Sequence, residues 1–361
     1  MKPLQVLIIH NSGEDSRYRL LGEELAAIGV KKEASAVAEA LRGKGHAVEI
    51  LPLQLPLRSI RRHLSKVRES VIFNLYQGDA GRPGLEWKVA QLLEALNVTC
   101  TGAPSECLRI SLDKALSKDI LLGHGIPTPK FQIFRIASSD VAWGEKVSFP
   151  LVVKPVAEDG SHGVRQESVV CEPESLERRL RWLLKRYPSG ALVEEFLPGR
   201  EFHVTVLGNR HLEPLEISEV VYTRKESGFW PILDYDAKWK EDSDSYRQTP
   251  VHCPVDIDSA LREGLIQCAL ATYRVLGCRG FGRVDMRLDA SGRPNVLEFN
   301  PNPDLSLDAA TAYQAEGTGI EYADMIEKIL FLALEGKEDG RRVRVAPFEG
   351  AALGSNRSHP S

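Results

Sequence analysis

Two candidate strands near the carboxyl end of the chain, residues 281–288 and 295–303, constrain its fold more than any other segment. The residues between them, 289–293, read Asp-Ala-Ser-Gly-Arg, which is typical of a turn, so we expect the strands to pair as a β-hairpin. Side chains alternate between the two faces of a strand. One face of the hairpin is therefore predicted to enter a core, and it carries Val284, Met286 and Leu297.

The other face of the hairpin is polar. Arg283 and Asp285 share it on the first strand, and Glu298 and Asn300 share it on the second. Carboxylate and amide oxygens suit Mg²⁺, which takes its remaining ligands from water and phosphate. A neighbouring arginine suits the charge that develops on a phosphoryl group during transfer. The pattern predicts a metal site for phosphoryl transfer, and it also fits a surface cluster of salt bridges.

Length and composition narrow the class of protein. With 361 residues, 43% of them hydrophobic, the chain can form two or three domains. A net charge of −4 gives no reason to expect nucleic-acid binding. Six dispersed cysteines without CxxC spacing are typical of a reduced, cytoplasmic protein. The apolar run at residues 6–9 is too short for a membrane span. We expect a cytoplasmic enzyme without nucleic-acid or membrane partners.

The first 125 residues alternate candidate strands with candidate helices. The strands lie at residues 6–9, 47–51 and 71–75, and the helices at 33–43, 85–96 and 111–122. This alternation predicts an α/β domain with a parallel sheet. No GxGxxG motif follows the first strand, which argues against a dinucleotide-binding domain.

The rest of the chain divides into three predicted segments. Residues 126–207 have the pattern of a small α+β domain, and residues 208–337 form a second α+β domain that contains the hairpin. Within it, the polar segment 222–250 is long enough to form a functional lid. Residues 338–361 are charged and then rich in small polar residues, so we expect a flexible tail.

A lysine and a glycine-containing loop indicate a phosphate site. Lys154 ends a buried strand, where an ammonium group must be paired. The loop at 158–164 follows and can bring backbone N–H groups close to phosphates, although a plain turn fits the same residues. Further on, residues 194–201 read as a linker that can bind adenine through its backbone, with Glu201 near the ribose. A solvated acidic hinge is the alternative.

The sequence resembles the ATP-grasp ligases, and among them the D-alanine–D-alanine ligase group. The resemblance covers nearly the whole chain and rests on the joint order and spacing of these motifs: Phe73-Asn74-Leu75, Leu112-Asp113-Lys114, Lys154-Pro155, the run from Glu194 to Glu201, Tyr235-Asp236-Ala237-Lys238, Arg283-Val284-Asp285 and Glu298-Phe299-Asn300. It implies an ATP-grasp fold in which an amino-terminal parallel-sheet domain precedes two α+β domains that clasp ATP.

The resemblance also implies roles for individual residues. The ATP phosphates would be contacted by Lys114, Lys154 and Lys238, beneath a closing loop that carries Ser161. Adenine would be bound by Glu194, Glu195, Phe196 and Leu197, and ribose by Glu201. Mg²⁺ or Mn²⁺ would be held by Asp285, Glu298 and Asn300. Arg283, with Lys238, would be catalytic and would stabilise transfer of the phosphoryl group to a carboxylate. An amine then captures the acyl phosphate, so the partners are small carboxylates and amines, and a homodimer is one expected assembly.

The substrate-facing residues depart from the family pattern. Glu14 is the candidate for the glutamate that binds the first substrate, and Gln77 stands where the family has a histidine. Gly160 and Trp239 replace a serine and a tyrosine that orient that glutamate. Asp304 replaces a glycine beside the acceptor, and Ala309 replaces a serine. These exchanges predict amino-acid substrates other than two D-alanines. An authentic D-alanine–D-alanine ligase, or a nucleotide-binding protein without ligase activity, are the alternatives.

Overall fold

The computed structural model describes residues 2–12, 21–23, 25–65, 67, 71–78, 82–135, 148–224 and 228–335. The predicted tail at 338–361 and the predicted substrate residue Glu14 lie outside this part of the chain. Among the described residues, no helix is long and apolar enough to cross a membrane. The domain boundaries expected at residues 125, 207 and 337 stay predictions.

The amino-terminal region forms the expected parallel sheet. Its strands are β1 (Gln5–Asn11), β2 (Ala47–Leu53) and β3 (Val71–Leu75), in the order β2-β1-β3. Both strand pairs are parallel. The accompanying helices are α1 (Leu25–Gly43), α2 (Leu57–Leu64) and α3 (Leu85–Ala95). Apolar side chains of β1 enter cores on both faces of the sheet, as expected for strands covered by crossover helices.

The helix expected at residues 111–122 is two helices, α4 (Ser105–Leu112) and α5 (Lys114–Gly123). The break falls at Asp113, which has an extended backbone and accepts hydrogen bonds from the N–H groups of Ala115 and Leu116. Asp113 is therefore the N-cap of α5. The apolar periodicity continues from α4 into α5, so the sequence pattern predicted one helix and did not indicate a helix start at Asp113.

A four-stranded antiparallel sheet follows. It contains β4 (Phe131–Phe134), β5 (Leu151–Pro155), β6 (Val169–Val170) and β7 (Ala191–Glu195), in the order β4-β7-β5-β6, and it packs against α6 (Pro173–Arg186). Central strand β7 has four fully buried residues, because α6 covers one face and α5 approaches the other. This sheet is the smaller of the two antiparallel sheets.

The large sheet is also antiparallel. Its strands are β8 (Glu201–Gly208), β9 (Leu212–Pro214), β10 (Ser218–Val220), β11 (Val251–His252), β12 (Gly280–Leu288) and β13 (Pro294–Asn300). The order is β11-β10-β8-β12-β13, with β9 also paired to β8. Helices in this region are α7 (Tyr235–Trp239), α8 (Asp244–Arg247), α9 (Ser259–Val275), α10 (Ala310–Gly317) and α11 (Tyr322–Glu335). Helices α7 and α8 lie within the predicted lid.

The predicted hairpin is confirmed as β12 and β13. Arg283 pairs with Asn300, and Asp285 pairs with Glu298, so the four polar residues share one face as expected. The expected core position of Leu297 is wrong. The register shifts by one residue after Asp285, which leaves Leu297 without a paired residue and turns it toward a cleft between the two antiparallel sheets.

Candidate active site

A cleft between the small and large sheets collects the residues predicted to bind ATP. Strands β5 and β7 contribute one wall, β8, β12 and β13 the other, and the lid and the 158–164 loop close one end. The following predicted residues line it: Lys114, Lys154, Ser161, Glu194, Glu195, Phe196, Leu197, Glu201, Lys238, Asp285 and Glu298. They come from distant parts of the chain, and the fold brings them to a single cleft.

Lys154 of β5 forms an ion pair with Glu194 of the adjacent strand β7. Its Nζ lies 2.6 Å from Glu194 Oε1, and the Nζ of Lys118 lies 3.0 Å from the other carboxylate oxygen. Lys118 also donates to the hydroxyl of Thr128 at 2.6 Å. Burial lowers the pKa of Lys118 to about 8, although Glu194 opposes this shift. The sequence analysis did not identify Lys118, because no local pattern shows that α5 faces β7.

A second buried cluster surrounds Glu298. Lys114 Nζ donates to the carbonyl of Glu158 at 2.5 Å and lies near two carboxylates, those of Glu298 and Asp159. Burial raises the pKa of Glu298, but the positive charges of Lys114, Lys154 and Lys238 outweigh burial and hold that pKa well below its ordinary range. Glu298 is therefore a carboxylate at neutral pH, as a cation ligand must be.

Arg283 and Asp285 form a bidentate ion pair. Arg283 Nε donates to Oδ1 at 2.6 Å and an Nη atom donates to Oδ2 at 2.9 Å, while Asn300 Nδ2 also donates to Oδ2 at 2.9 Å. Within the described residues no three His, Cys, Asp or Glu side chains form a metal site. A cation here would thus need the Asn300 amide, water or phosphate oxygens besides Asp285 and Glu298.

The other end of the cleft is shaped by Arg287, which the sequence analysis missed. Its guanidinium lies over the rings of Phe196 and Tyr222, at 4.9 and 5.3 Å from their centroids. It donates to Glu201 Oε2 at 3.2 Å, and the Tyr222 hydroxyl donates to the same oxygen at 2.7 Å. These contacts fix the carboxylate of Glu201 and the ring of Phe196 at the wall of the cleft.

The lid contacts the 158–164 loop directly. The indole N–H of Trp239 donates to the Gly160 carbonyl at 2.9 Å, and the Ser161 hydroxyl donates to the Leu233 carbonyl at 2.9 Å. Gly160 has a φ of +60°, which favours glycine. A β-carbon added at either Gly29 or Gly160 would lie 3.5 Å from the indole. Trp239 therefore fills the space between α1 and the loop.

A larger cavity of about 720 Å³ adjoins this cleft at His162, Leu233 and Lys238. It receives the remaining predicted site residues within the described part of the chain: Gln77, Trp239, Arg283, Asn300 and Asp304. Its size is in the range of small-molecule binding sites. The cavity is therefore the candidate substrate site.

Two buried glutamates near this cavity were not identified from the sequence. Glu33 accepts from Gln77 Nε2 at 3.1 Å and from the Leu305 N–H at 2.9 Å, and burial together with Asp304 raises its pKa well above the ordinary value. Glu86 accepts from Asn302 Nδ2 at 3.0 Å, and burial raises its pKa to about 8. Both residues lie on helices whose apolar pattern indicated only packing, so the sequence held no signal for them.

The paired antiparallel sheets, with a lysine on the small sheet and two carboxylates on the large one, define the class as an ATP-grasp ligase. The family model for the D-ala D-ala ligase C-terminus matches residues 120–331. A D-alanine–D-alanine ligase of Moorella thermoacetica is 33% identical over 313 residues, covering 84% of this chain and 94% of that protein. The chain therefore belongs to the D-alanine–D-alanine ligase family, and it is an ATP-dependent enzyme that forms carbon–nitrogen bonds.

Other similar proteins include one uncharacterized protein and ligases named for different substrates. An uncharacterized protein, y4sG, of Sinorhizobium fredii is 36% identical over 263 residues, 73% of this chain and 74% of that protein. The D-alanine–D-alanine ligase of Bacillus anthracis complexed with ATP superposes with a TM-score of 0.71 at 20% identity, covering 93% and 99% of the two chains. The VanG D-Ala:D-Ser ligase of Enterococcus faecalis gives 0.68 at 20% identity, covering 92% and 100%. The structural matches establish a shared fold.

Proposed function

We propose that this protein is an ATP- and Mg²⁺-dependent carboxylate–amine ligase that acts through an acyl phosphate and uses amino-acid partners other than two D-alanines. The observation that carries the proposal is the paired placement of Asp285 and Glu298 in the cleft that also holds Lys114, Lys154 and Lys238. Three lysines facing two carboxylates suit a triphosphate with its cation.

ATP would lie along the cleft. Phe196, Leu197 and the backbone near Glu195 would surround adenine, and the fixed carboxylate of Glu201 would accept from ribose hydroxyls. Lys154 and Lys114 would contact phosphates. Lys238 lines both cavities, so it is placed to contact the phosphoryl group that passes between nucleotide and substrate.

The residues present fit a Mg²⁺ or Mn²⁺ ion. Asp285, Glu298 and Asn300 supply hard oxygen ligands on adjacent strands, and the low pKa of Glu298 keeps its carboxylate charged. Asp285 already accepts from Arg283 and Asn300, but a carboxylate has about four lone-pair sites and can accept further partners. When bound, the ion would neutralise charge on the β- and γ-phosphates.

The chemistry then requires two displacements. A substrate carboxylate oxygen attacks the γ-phosphorus, the bond to the ADP oxygen breaks, and an acyl phosphate forms. An amine attacks the acyl carbon, inorganic phosphate leaves, and the amine proton is lost to give an amide. Arg283 lines the substrate cavity beside Asn300, so its guanidinium can stabilise the acyl phosphate and the charge in each transition state.

The proposed change in amino-acid specificity rests on residues that line the substrate cavity. Trp239 occupies the space between Gly29 and Gly160, and neither Gly160 nor Trp239 offers the hydroxyls that the family uses there. Asp304 adds a carboxylate beside the acceptor, which favours an amine and disfavours a bound carboxylate. The negative charge of Asp304 also contributes to the raised pKa of the buried Glu33.

Phosphate release by the full chain, measured with Mg²⁺-ATP against a panel of amino acids, small carboxylates and amines, tests the proposal. The proposal is supported if no phosphate is released without an acceptor and phosphate is released with a substrate pair other than two D-alanines. Comparable or better activity with D-alanine alone would favour an authentic D-alanine–D-alanine ligase, in line with the curated relative in Moorella thermoacetica. Nucleotide binding without turnover for any pair would favour a non-ligase protein of this fold.

A further inference from the structure

Glu23 lies just before α1, yet its carboxylate is enclosed by residues around the small sheet. The residue is 0% exposed. Its Oε2 accepts from the Tyr187 hydroxyl at 2.8 Å and lies 3.1 Å from His162 Nδ1. Its Oε1 accepts from the Gly163 N–H at 3.3 Å and from the Arg165 guanidinium at 3.5 Å. Burial raises the pKa of Glu23, but the hydrogen bonds from His162 and Tyr187 outweigh burial and lower it. Glu23 is thus a buried, fully partnered anion.

Two of these partners belong to the loop that would cover the ATP phosphates. His162 lines both the nucleotide cleft and the substrate cavity. Gly163 has a φ of +74°, and a β-carbon there would lie 2.8 Å from atoms of Pro155 and Tyr187. The loop therefore packs closely against Pro155 and Tyr187, and Glu23, which lines neither the cleft nor the larger cavity, hydrogen-bonds to it.

The same amino-terminal segment also contacts the lid. The Leu25 N–H donates to the Tyr235 hydroxyl at 3.1 Å, and the Tyr235 N–H donates to the Val164 carbonyl at 3.0 Å. The Tyr235 ring lies 5.4 Å from the imidazole of His162. Residues 21–23 and 25, the 158–164 loop and the lid consequently form one hydrogen-bonded junction that includes the buried Glu23.

We propose that Glu23 is a positioning residue for nucleotide binding, because its carboxylate holds the 158–164 loop in the conformation that covers the phosphates. The inference rests on the nucleotide site proposed above. Four partners, His162, Gly163, Arg165 and Tyr187, commit the Glu23 carboxylate to the junction and not to a substrate ammonium group.

The dissociation constant of a non-hydrolysable ATP analogue with Mg²⁺, measured by calorimetry on the full chain, tests this role without requiring the ligation substrates. Glu23→Gln keeps the size of the side chain and removes its charge, and we expect the dissociation constant to rise about tenfold or more. Tyr187→Phe removes one hydrogen bond to Glu23 and should act in the same direction with a smaller effect. In turnover assays the KM for ATP should rise more than kcat falls.

Glu327→Gln is the matched control. Glu327 lies 3.1 Å from His46 and so links the amino-terminal region to α11 through a different ion pair. Thermal unfolding without nucleotide, recorded for each variant, separates stability from positioning. A folded Glu23→Gln protein that binds the analogue as tightly as the control overturns the inference, and so does an equal loss of affinity in both. If the wild type itself does not bind the analogue, the proposed nucleotide site fails and this inference falls with it.

Discussion

Lys114 and Glu298 face each other in the cleft between the small and large sheets, with the lysine Nζ 3.5 Å from the glutamate Oε2. Lys114 begins α5, and Glu298 lies on β13. Lys114 also lies 3.7 Å from Asp159 of the loop that would cover the phosphates. Three distant segments thus meet at a single ammonium group, whose positive charge helps to hold the pKa of Glu298 below its ordinary range.

Replacing Glu298 with glutamine should abolish metal-dependent turnover while the protein stays folded. The substitution keeps the shape of the side chain but removes the charge that a divalent ion needs. Turnover is measured against Mg²⁺ concentration, and unfolding is followed by circular dichroism. Glu213→Gln, at the edge of the same sheet, is the control and should retain activity. Near-normal activity of Glu298→Gln would show that the metal site lies elsewhere.

Glu86 should make stability fall as pH rises. Burial raises its pKa from 4.5 to about 8, so the folded state keeps a proton that the unfolded state loses first. The free energy of unfolding of the wild type, relative to Glu86→Gln, should therefore decrease across this window, at up to about 1.4 kcal/mol for each pKa unit. Denaturant unfolding from about pH 5 to pH 8 measures the difference. Glu94→Gln, an exposed position on the same helix, is the control. A constant difference between wild type and Glu86→Gln would contradict this account.

D-alanine should be a poor substrate. Gly160, Trp239 and Ala309 stand where the resemblance implies hydroxyl-bearing residues, so we expect two or three hydrogen bonds of the substrate site to be missing, each worth roughly 1.5–3 kcal/mol. This loss corresponds to at least about a hundredfold in kcat/KM relative to the best pair. The measurement is phosphate release at matched substrate concentrations. D-alanyl-D-alanine formed as fast as any other product would show that Trp239 does not exclude it.

The segment 222–250 should act as a lid that closes over bound nucleotide. Side-chain and backbone hydrogen bonds join it to the 158–164 loop, among them the bond from the Trp239 indole N–H to the Gly160 carbonyl. Bound phosphates would add contacts through Lys238 and so stabilise the closed arrangement. Limited trypsin digestion should cut after Lys240 or Arg247 in the free protein and be suppressed by a non-hydrolysable analogue with Mg²⁺. Equal cleavage in both conditions would rule out the lid.

The parts of the site that lie on one short segment could be predicted from the sequence. The hairpin of β12 and β13 follows from strand alternation and a turn, which brought Arg283, Asp285, Glu298 and Asn300 to one face. Leu297 was misplaced, because the register shift beside Asp285 has no signature in the residues themselves.

Contacts between distant segments could not be predicted. Glu23 reaches His162 across 139 residues, and Glu33 reaches Leu305 across 272. Such pairs depend on how the domains pack, and a single sequence contains no periodicity that reports packing. Lys118 illustrates the same limit, since it lies on an ordinary amphipathic helix and becomes a site residue only where α5 meets Glu194.

Transfer of oxygen from the substrate to phosphate tests the central claim most directly. The productive carboxylate is labelled with ¹⁸O, turned over with Mg²⁺-ATP and its amine partner, and the released inorganic phosphate is analysed by mass spectrometry. An acyl phosphate forms when a carboxylate oxygen attacks the γ-phosphorus, and that oxygen leaves with phosphate when the amine forms the amide. We predict one ¹⁸O atom in each released phosphate. The Glu298→Gln variant should release no labelled phosphate, because its turnover stops. Product formation with unlabelled phosphate would contradict a ligase that acts through an acyl phosphate.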